Sequence, residues 1–416
     1  MNKLTYLALG LAVLSSCSTK QEDTPADTPT FITIDGTDLV DPSGNKFFIR
    51  GANLGNWLNP EGYMFGFKKV NSPRFINEMF CQLVGEEETA RFWQDFKDNY
   101  ITRKDIEYIA GTGANTIRLP FHYKLFTDED YMGLTHDQDG FARVDSVVEW
   151  CRDNGLYLIL DMHDAPGGQT GDNIDDSYGY PWLFESPKAQ ELFCGIWEKI
   201  ATRYSDEPVI LGYELINEPI AHFFEDKDSL NTKLEPLQKR AVEAIRKVDS
   251  NHIILIGGSQ WNGNFEPFTD WNYDDKLMYT CHRYGGPATA EAISNFIAFR
   301  DSTNRPMYMG EIGHNTMEWQ RSFAQVMEDN NIGYSYWPYK KLGESCWMAI
   351  EKPDGWDSII TFAESDRSSY DSIRENVPDR KAALASMRAF IEASKAQNCT
   401  PQDEYLESMK LSPIKK

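Results

Sequence analysis

Val209-Ile-Leu-Gly-Tyr-Glu-Leu-Ile-Asn-Glu-Pro219 is a nearly continuous apolar run that breaks off into Asn217-Glu218-Pro219. Such a run suits a strand covered on both faces, as in a parallel sheet flanked by helices. Seven similar runs surround it. Phe47 to Gly51, Asn115 to Leu119 and Leu156 to Met162 precede it; His252 to Gly257, Leu277 to Cys281, Pro306 to Gly310 and Gly333 to Trp337 follow. Helical patterns intervene at Asp145 to Asn154, Ala189 to Tyr204, Leu234 to Val248, Ala288 to Asp301 and Met317 to Asn330, and Arg380 to Ala396 follows the last strand. Strands alternating with helices predict βαβ units and a parallel sheet. Eight of them over about 370 residues predict an α/β fold, a single (β/α)8 TIM barrel with insertions. An open doubly wound sheet would want a Gly-rich phosphate loop opening a helix after its first strand, and Gly51-Ala-Asn-Leu-Gly55 does not open one.

A barrel of this kind carries its chemistry at the C-terminal ends of the strands. Strand two ends in Arg118, strand three in Asp161-Met-His163 and strand four in Asn217-Glu218. Strand six ends in His282-Arg-Tyr284, strand seven in Glu311 and strand eight in Trp337. Each residue alone has an ordinary structural reading; the ordered set at six strand ends points to a site. Two carboxylates on separate strands suit glycoside cleavage, one donating a proton to the leaving oxygen, the other attacking the anomeric carbon or activating water. Glu218 is read as acid/base and Glu311 as nucleophile, their carboxyls about 5–5.5 Å apart for a retaining reaction. Arg118 and the Tyr284 hydroxyl would hold Glu311 ionised, and repulsion from Glu311 would keep Glu218 protonated. Asn217 would bond the sugar 2-hydroxyl, and Trp337 would floor the ring. A zinc amidohydrolase would want two His spaced one apart on strand one, and none is there.

Composition narrows the partners. The net charge of −23, from 64 acidic and 41 basic residues, excludes nucleic acid and polyanionic glycans and leaves neutral glycans. Aromatics reach 13%, which suits sugar-stacking rings or simply a large aromatic core. Lys3 and the apolar stretch Leu4 to Leu14 read as a signal peptide, too short to span a membrane as a mature helix. Leu14-Ser-Ser-Cys17 resembles the lipobox of bacterial lipoproteins, which implies lipidation of Cys17. The expected organisation is residues 1–17 as signal peptide, 18–30 as a polar, Pro-bearing tether, 31–400 as barrel and 401–416 as a C-terminal tail. The expected location is the cell envelope, on the outer membrane, surface-exposed or periplasm-facing, with membrane contact only through the lipid. The other six cysteines form no CxxC pair, against a zinc site, and sequence alone does not pair them.

With these residues in view, the chain resembles glycoside hydrolase family 5, a 4/7-type barrel, from about Phe47 to Trp337. The motifs are Asn115-Thr-Ile-Arg-Leu-Pro120, Leu160-Asp-Met-His163, Ile216-Asn-Glu-Pro219, His282-Arg-Tyr284, Gly310-Glu311 and Trp337. The resemblance implies that Arg118, His163, Asn217, Glu218, His282, Tyr284, Glu311 and Trp337 form the sugar site. It also implies double displacement without metal or cofactor. Arg50-Gly-Ala-Asn-Leu-Gly-Asn-Trp-Leu-Asn-Pro-Glu61, the helical insert from Phe75 to Tyr100 and Asp161 to Gly171 are similar to the exo-β-1,3-glucanase, cellulase-like branch. In that branch a Glu at the position of Glu61 holds the terminal glucose and the pocket closes behind it. Asp172 to Trp182 and Lys340 to Trp347 depart from the branch and leave the linkage open. The reading is a retaining exo-β-glucanase or β-glucosidase-like enzyme acting on neutral β-glycans. The alternatives are an endo-acting glucanase or mannanase, and a non-catalytic glycan-binding barrel, against which the paired Glu218 and Glu311 argue.

Overall fold

The computed structural model describes residues 31–133 and 137–414, so the signal peptide, Cys17 and the tether lie outside the described residues. Eight parallel strands close into a barrel. They are β1 (Arg50–Asn53), β2 (Thr116–His122), β3 (Tyr157–Asp164), β4 (Ile210–Glu214), β5 (Ile253–Gly257), β6 (Leu277–Arg283), β7 (Met307–Gly313) and β8 (Gly333–Trp337). The ring closes where Tyr334 of β8 pairs with Arg50 of β1, which on its other edge pairs Gly51 with Thr116. Helices such as Pro187–Tyr204 and Lys227–Arg246 lie between the strands in sequence.

Strand boundaries differ from the sequence reading at both ends of the barrel, for physical reasons. The first barrel strand begins at Arg50 rather than Phe47, because Lys46–Phe47 joins a small antiparallel sheet with Thr33–Asp35 and Asp38–Val40. That sheet packs Ile32 and Leu39 with Ile49, Ile159, Leu211, Ile253, Leu255, Met278 and Tyr308 into one buried apolar cluster, which fills the N-terminal end of the barrel. Strands β2, β3, β6 and β7 run past their apolar runs, to His122, Asp164, Arg283 and Gly313. Polar side chains continue the ladder there because the barrel interior at that end is itself polar.

The helical insert is two helices, Pro73–Val84 and Glu86–Asn99, broken at Gly85, whose φ of 87° is the left-handed region that glycine enters without steric cost. Their inner faces bring Phe80, Phe92, Trp93 and Phe96 against Phe65 and Phe67, next to Trp356 and Phe390. Much of the aromatic content is therefore core. Residues 401–416, expected as a tail, are in part packed structure: Thr400–Pro401 pairs with Met348–Ala349, and the helix Asp403–Ser408 buries Tyr405 and Leu406. Among the described residues the six cysteines are free thiols, and no helix is long and apolar enough to cross a membrane.

Candidate active site

The polar end of the barrel is organised by Arg118, a fully buried side chain of β2. Its Nε and Nη2 donate to the two oxygens of Glu214 at 2.8 Å each, a bidentate pair. Nη1 donates to Glu311 Oε1 at 2.7 Å and to Asn53 Oδ1 at 3.1 Å; Nη2 lies 3.0 Å from Asp161 Oδ2. One guanidinium thus faces three carboxylates. Burial works against its charge, and Asp161, Glu214 and Glu311 outweigh burial, so Arg118 stays cationic. Glu311 receives a second donor, the Tyr284 hydroxyl at 2.5 Å. Arg118 and Tyr284 thus converge on Glu311.

Glu218 follows β4 in a left-handed backbone conformation, φ 44°, and Ile220 at φ 60° follows suit. Such residues persist only where neighbours over-determine them. Here Thr170 Oγ1 donates to Glu218 O at 2.7 Å, Gln169 Nε2 donates to Asn217 O at 2.9 Å, and Ile220 N donates to Gln169 O at 2.9 Å. The turn aims the carboxyl at His282, whose Nδ1 lies 2.8 Å from Glu218 Oε1 and 3.7 Å from Glu311 Oε2. A carboxylate oxygen of Glu218, one of Glu311 and a ring nitrogen of His282 all lie within 4.8 Å of one another. That is closer than the 6.5–9.5 Å or so of inverting pairs and fits retention. Burial pushes the Glu218 carboxyl up to about 7, with Glu214 and Asp172 adding to the rise and His163 and Arg118 opposing it. Its proton is therefore held chiefly by desolvation, not by repulsion from Glu311 as the sequence reading supposed.

The histidines are neutral struts. Burial pushes both His163 and His282 down to about 4. His163 Nδ1 meets Asp161 at 2.7 Å, and its ring lies parallel to Trp337 at 5.1 Å. Asn217, expected on the sugar, turns the other way: it is fully buried, its Oδ1 accepts from Arg118 and its Nδ2 meets His163 Nε2 at 3.3 Å.

In front of this layer is a cavity of about 250 Å³ lined by Glu61, Tyr63, His163, Ile174, Glu218, Tyr284, Glu311, His314 and Trp337. At about 30 Å³ per liquid water it holds some eight waters, the scale of one pyranose ring. Trp337 donates from Nε1 to the Tyr63 hydroxyl at 2.6 Å, and Gly55 packs so closely on the indole that a Cβ there would come within 2.8 Å. Glu61 lies on the wall; burial, then Glu311 and Glu218, push its carboxyl well up, and among the described residues no hydrogen-bond donor reaches it. Behind Glu61 two loops are stitched together. Asn59 Nδ2 donates to Ile174 O at 3.4 Å, and Arg74 N donates to Asp176 Oδ1 at 2.7 Å.

The sequence reading missed Tyr63, Ile174 and His314 on the cavity wall and Glu214 behind it. Glu214 had a signal, a lone acid inside an apolar run; Ile174 and His314 sit in irregular loops and Tyr63 in a short 3-10 turn, Gly62–Phe65, with none. A second cluster, His122 with Asp164 and Asp176, could be taken for a metal site. Lys124 N donates to His122 Nδ1 at 3.1 Å, which leaves the ring proton on Nε2 between the carboxylates at 3.1 Å each. A protonated nitrogen is not a ligand, so this cluster is a strut under the 164–177 loop.

Comparison with known proteins agrees with this fold. The family described as cellulase (glycosyl hydrolase family 5) matches residues 77–343. A β-xylosidase of Phanerodontia chrysosporium is 32% identical over 269 residues, 63% of this chain and 54% of that protein, so the chain spans about half the length of that relative. Endoglucanase C of Acetivibrio thermocellus is 28% identical over 334 residues, 65% of this chain and 93% of that protein. In fold, a β-glucanase from Saccharophagus degradans, solved with cellotetraose, superposes with a TM-score of 0.52 at 18% identity, over 88% of this chain and 95% of that one.

Proposed function

This chain belongs to glycosyl hydrolase family 5 and is a glycosidase, and on that premise we propose that it is a retaining β-glucosidase-like enzyme that removes single sugars from the non-reducing ends of neutral β-glucans. The observation that carries the exo reading is a cavity of about 250 Å³ with the buried Glu61 carboxyl on its wall. Glu61 can accept bonds from two hydroxyls of a terminal sugar. A chain continuing past that sugar would replace one of those hydroxyls by a glycosidic oxygen, which offers no donor, so an accepting oxygen of Glu61 would lose its partner. An unmatched buried polar group costs about 1–3 kcal/mol, more when charged, so internal cleavage is disfavoured.

In this reading Glu311, held by Arg118 and Tyr284, attacks the anomeric carbon while Glu218 passes its proton to the leaving oxygen. The bond to the leaving group breaks and a glycosyl–Glu311 ester forms. Glu218, now ionised, takes a proton from water, which displaces Glu311 and restores the starting anomer. His163 and Trp337 form one wall against the ring, and Tyr63 and His314 line the same cavity.

The test is a time course on β-1,3-, β-1,4- and β-1,6-gluco-oligosaccharides with the product anomer followed by proton NMR. Monosaccharide of retained configuration from the first minutes is expected. An early mixture of medium-length oligosaccharides would defeat the exo reading, and an inverted anomer would defeat the mechanism. Attachment to the envelope through Cys17 is part of the proposal and rests on Leu14 to Cys17 alone; Cys17→Ala should release the protein from salt-washed membranes.

A further inference from the structure

After β5 the chain reads Gly257-Gly-Ser-Gln-Trp-Asn262, and Gln260, Trp261 and Asn262 are all left-handed, at φ 49°, 58° and 57°. Three consecutive non-glycine residues in that region are strained, most of all the bulky Trp261. The surroundings hold them there. Ser259 and Asn264 exchange backbone hydrogen bonds at 2.9 Å in both directions, Asn264 Nδ2 donates to Gln260 Oε1 at 2.8 Å, and Gln260 Nε2 donates to Asn231 Oδ1 at 3.0 Å.

What this turn places is the side chain of Asn262. It is fully buried, and its Nδ2 lies 3.2 Å from Nε2 of His282. Its Oδ1 has no partner, a cost that packing alone does not explain. A Cβ on Gly257 would come within 2.6 Å of that Oδ1, so only glycine leaves the amide room. Around the other edge of the ring, Nδ1 meets Glu218 at 2.8 Å and lies 3.7 Å from Glu311, while Nε2 is 4.0 Å from Glu214; Arg118 and His163 act on it at longer range.

We propose that Asn262 is a positioning residue for the acid/base carboxyl: its amide donates to His282 Nε2, fixes the ring proton on Nδ1, and so directs that proton at Glu218. The chemistry follows from the two faces of a neutral imidazole. A nitrogen that accepts from an amide has no proton, so the other must carry it. An Nδ1–H donor favours ionised Glu218, the form that must take a proton from water in the second half of the reaction. With the tautomer free, Nδ1 could instead accept from protonated Glu218, and the acid would be held too firmly. The part about Glu218 rests on the function proposed above; the part about the tautomer does not.

Two measurements test it. Nitrogen-15 NMR of the full chain with labelled histidine, His282 being assigned by its loss in His282→Gln, reads the tautomer directly. A protonated Nδ1 and a bare Nε2 are expected. A proton on Nε2 would mean that the amide presents Oδ1 instead, and would overturn the proposal. The second uses Asn262→Gly, which keeps the left-handed backbone without strain and removes the amide. The alkaline limb of its kcat/KM profile should move up by about one pH unit, a tenfold change in the acid-to-base ratio. A loss of kcat/KM at every pH with the limb unmoved would make Asn262 merely structural. If Glu218 is not the acid/base, Glu218→Gln will cleave glycosides of poor leaving groups at the native rate, whatever the NMR shows of His282.

Discussion

The two ends of the barrel are enclosed by the same eight strands and filled in opposite ways. At the N-terminal end Ile159, Leu211, Ile253, Leu255, Met278 and Tyr308 form an apolar layer, sealed by Ile32 and Leu39. At the C-terminal end the interior holds Arg118 with Asp161, Glu214 and Glu311, and Glu218 and Glu61 stand just above. The first end gains free energy by removing apolar surface from water, about 25 cal/mol per Å². The second keeps more carboxyls than cations out of water, an arrangement that stabilises nothing by itself. Stability and chemistry are thus separated along one axis, and mutations at the two ends should fail in different assays.

The largest effect expected is at the polar end. Glu311→Gln should lower kcat by roughly four orders of magnitude or more, the scale of losing an attacking group, while thermal unfolding shows no loss of stability. A comparably large fall in stability would mean that Glu311 is a structural ion-pair partner first. At the apolar end Leu255→Ala should do the reverse. Its buried side chain leaves a cavity worth about 2–5 kcal/mol, readable as a lower urea midpoint, with kcat per folded molecule near native. A variant that unfolds no more easily but works poorly would break the separation.

A smaller effect sharpens the comparison through pH. The Glu218 carboxyl sits at about 7 in the folded protein against an ordinary 4.5. Between those values the native state binds more protons than the unfolded chain, so this group's contribution to stability falls as pH rises. Glu218→Gln should therefore gain on the native protein from about pH 4.5 to 7, by about 3 kcal/mol at about 1.4 kcal/mol per unit. Chemical denaturation across that range measures it, and a difference that does not change with pH would contradict the assignment. The native kcat/KM should likewise decline above about pH 7 as the acid form is lost.

The smallest stability change belongs to Glu61. Its carboxyl is pushed well up by burial and by Glu311 and Glu218, so near neutral pH an amide of the same shape should change stability by less than about 1 kcal/mol. Glu61→Gln should instead raise KM for short oligosaccharides. A large gain in stability would show that an ionised carboxylate had been buried there.

Much of this was legible along the chain. The eight apolar runs gave the barrel because strand periodicity is a local property, and the acids that close the fourth and seventh runs, Glu218 and Glu311, met across the axis as the strand count required. The limits fell at two kinds of place. Phe47 reads as the start of the first barrel strand yet pairs antiparallel with Leu39, since apolar content does not say which sheet a strand joins. Asn217 stands next to Glu218 in sequence but faces Arg118 and His163, because the left-handed turn at Glu218 sends neighbouring side chains in different directions.

The sequence by itself determined the barrel, the pair of carboxylates and the Arg118 and Tyr284 that hold one of them, all fixed by position along eight strands. Only the tertiary structure decided the rest. The cavity wall joins Asn59 to Ile174 and Tyr63 to Trp337, across 115 and 274 residues of chain. The acid form of Glu218 comes from burial under loops, and the proton of His282 is set by Asn262 from the turn after β5. Desolvation and hydrogen-bond direction depend on everything that surrounds a group at once, and no local run of residues encodes that.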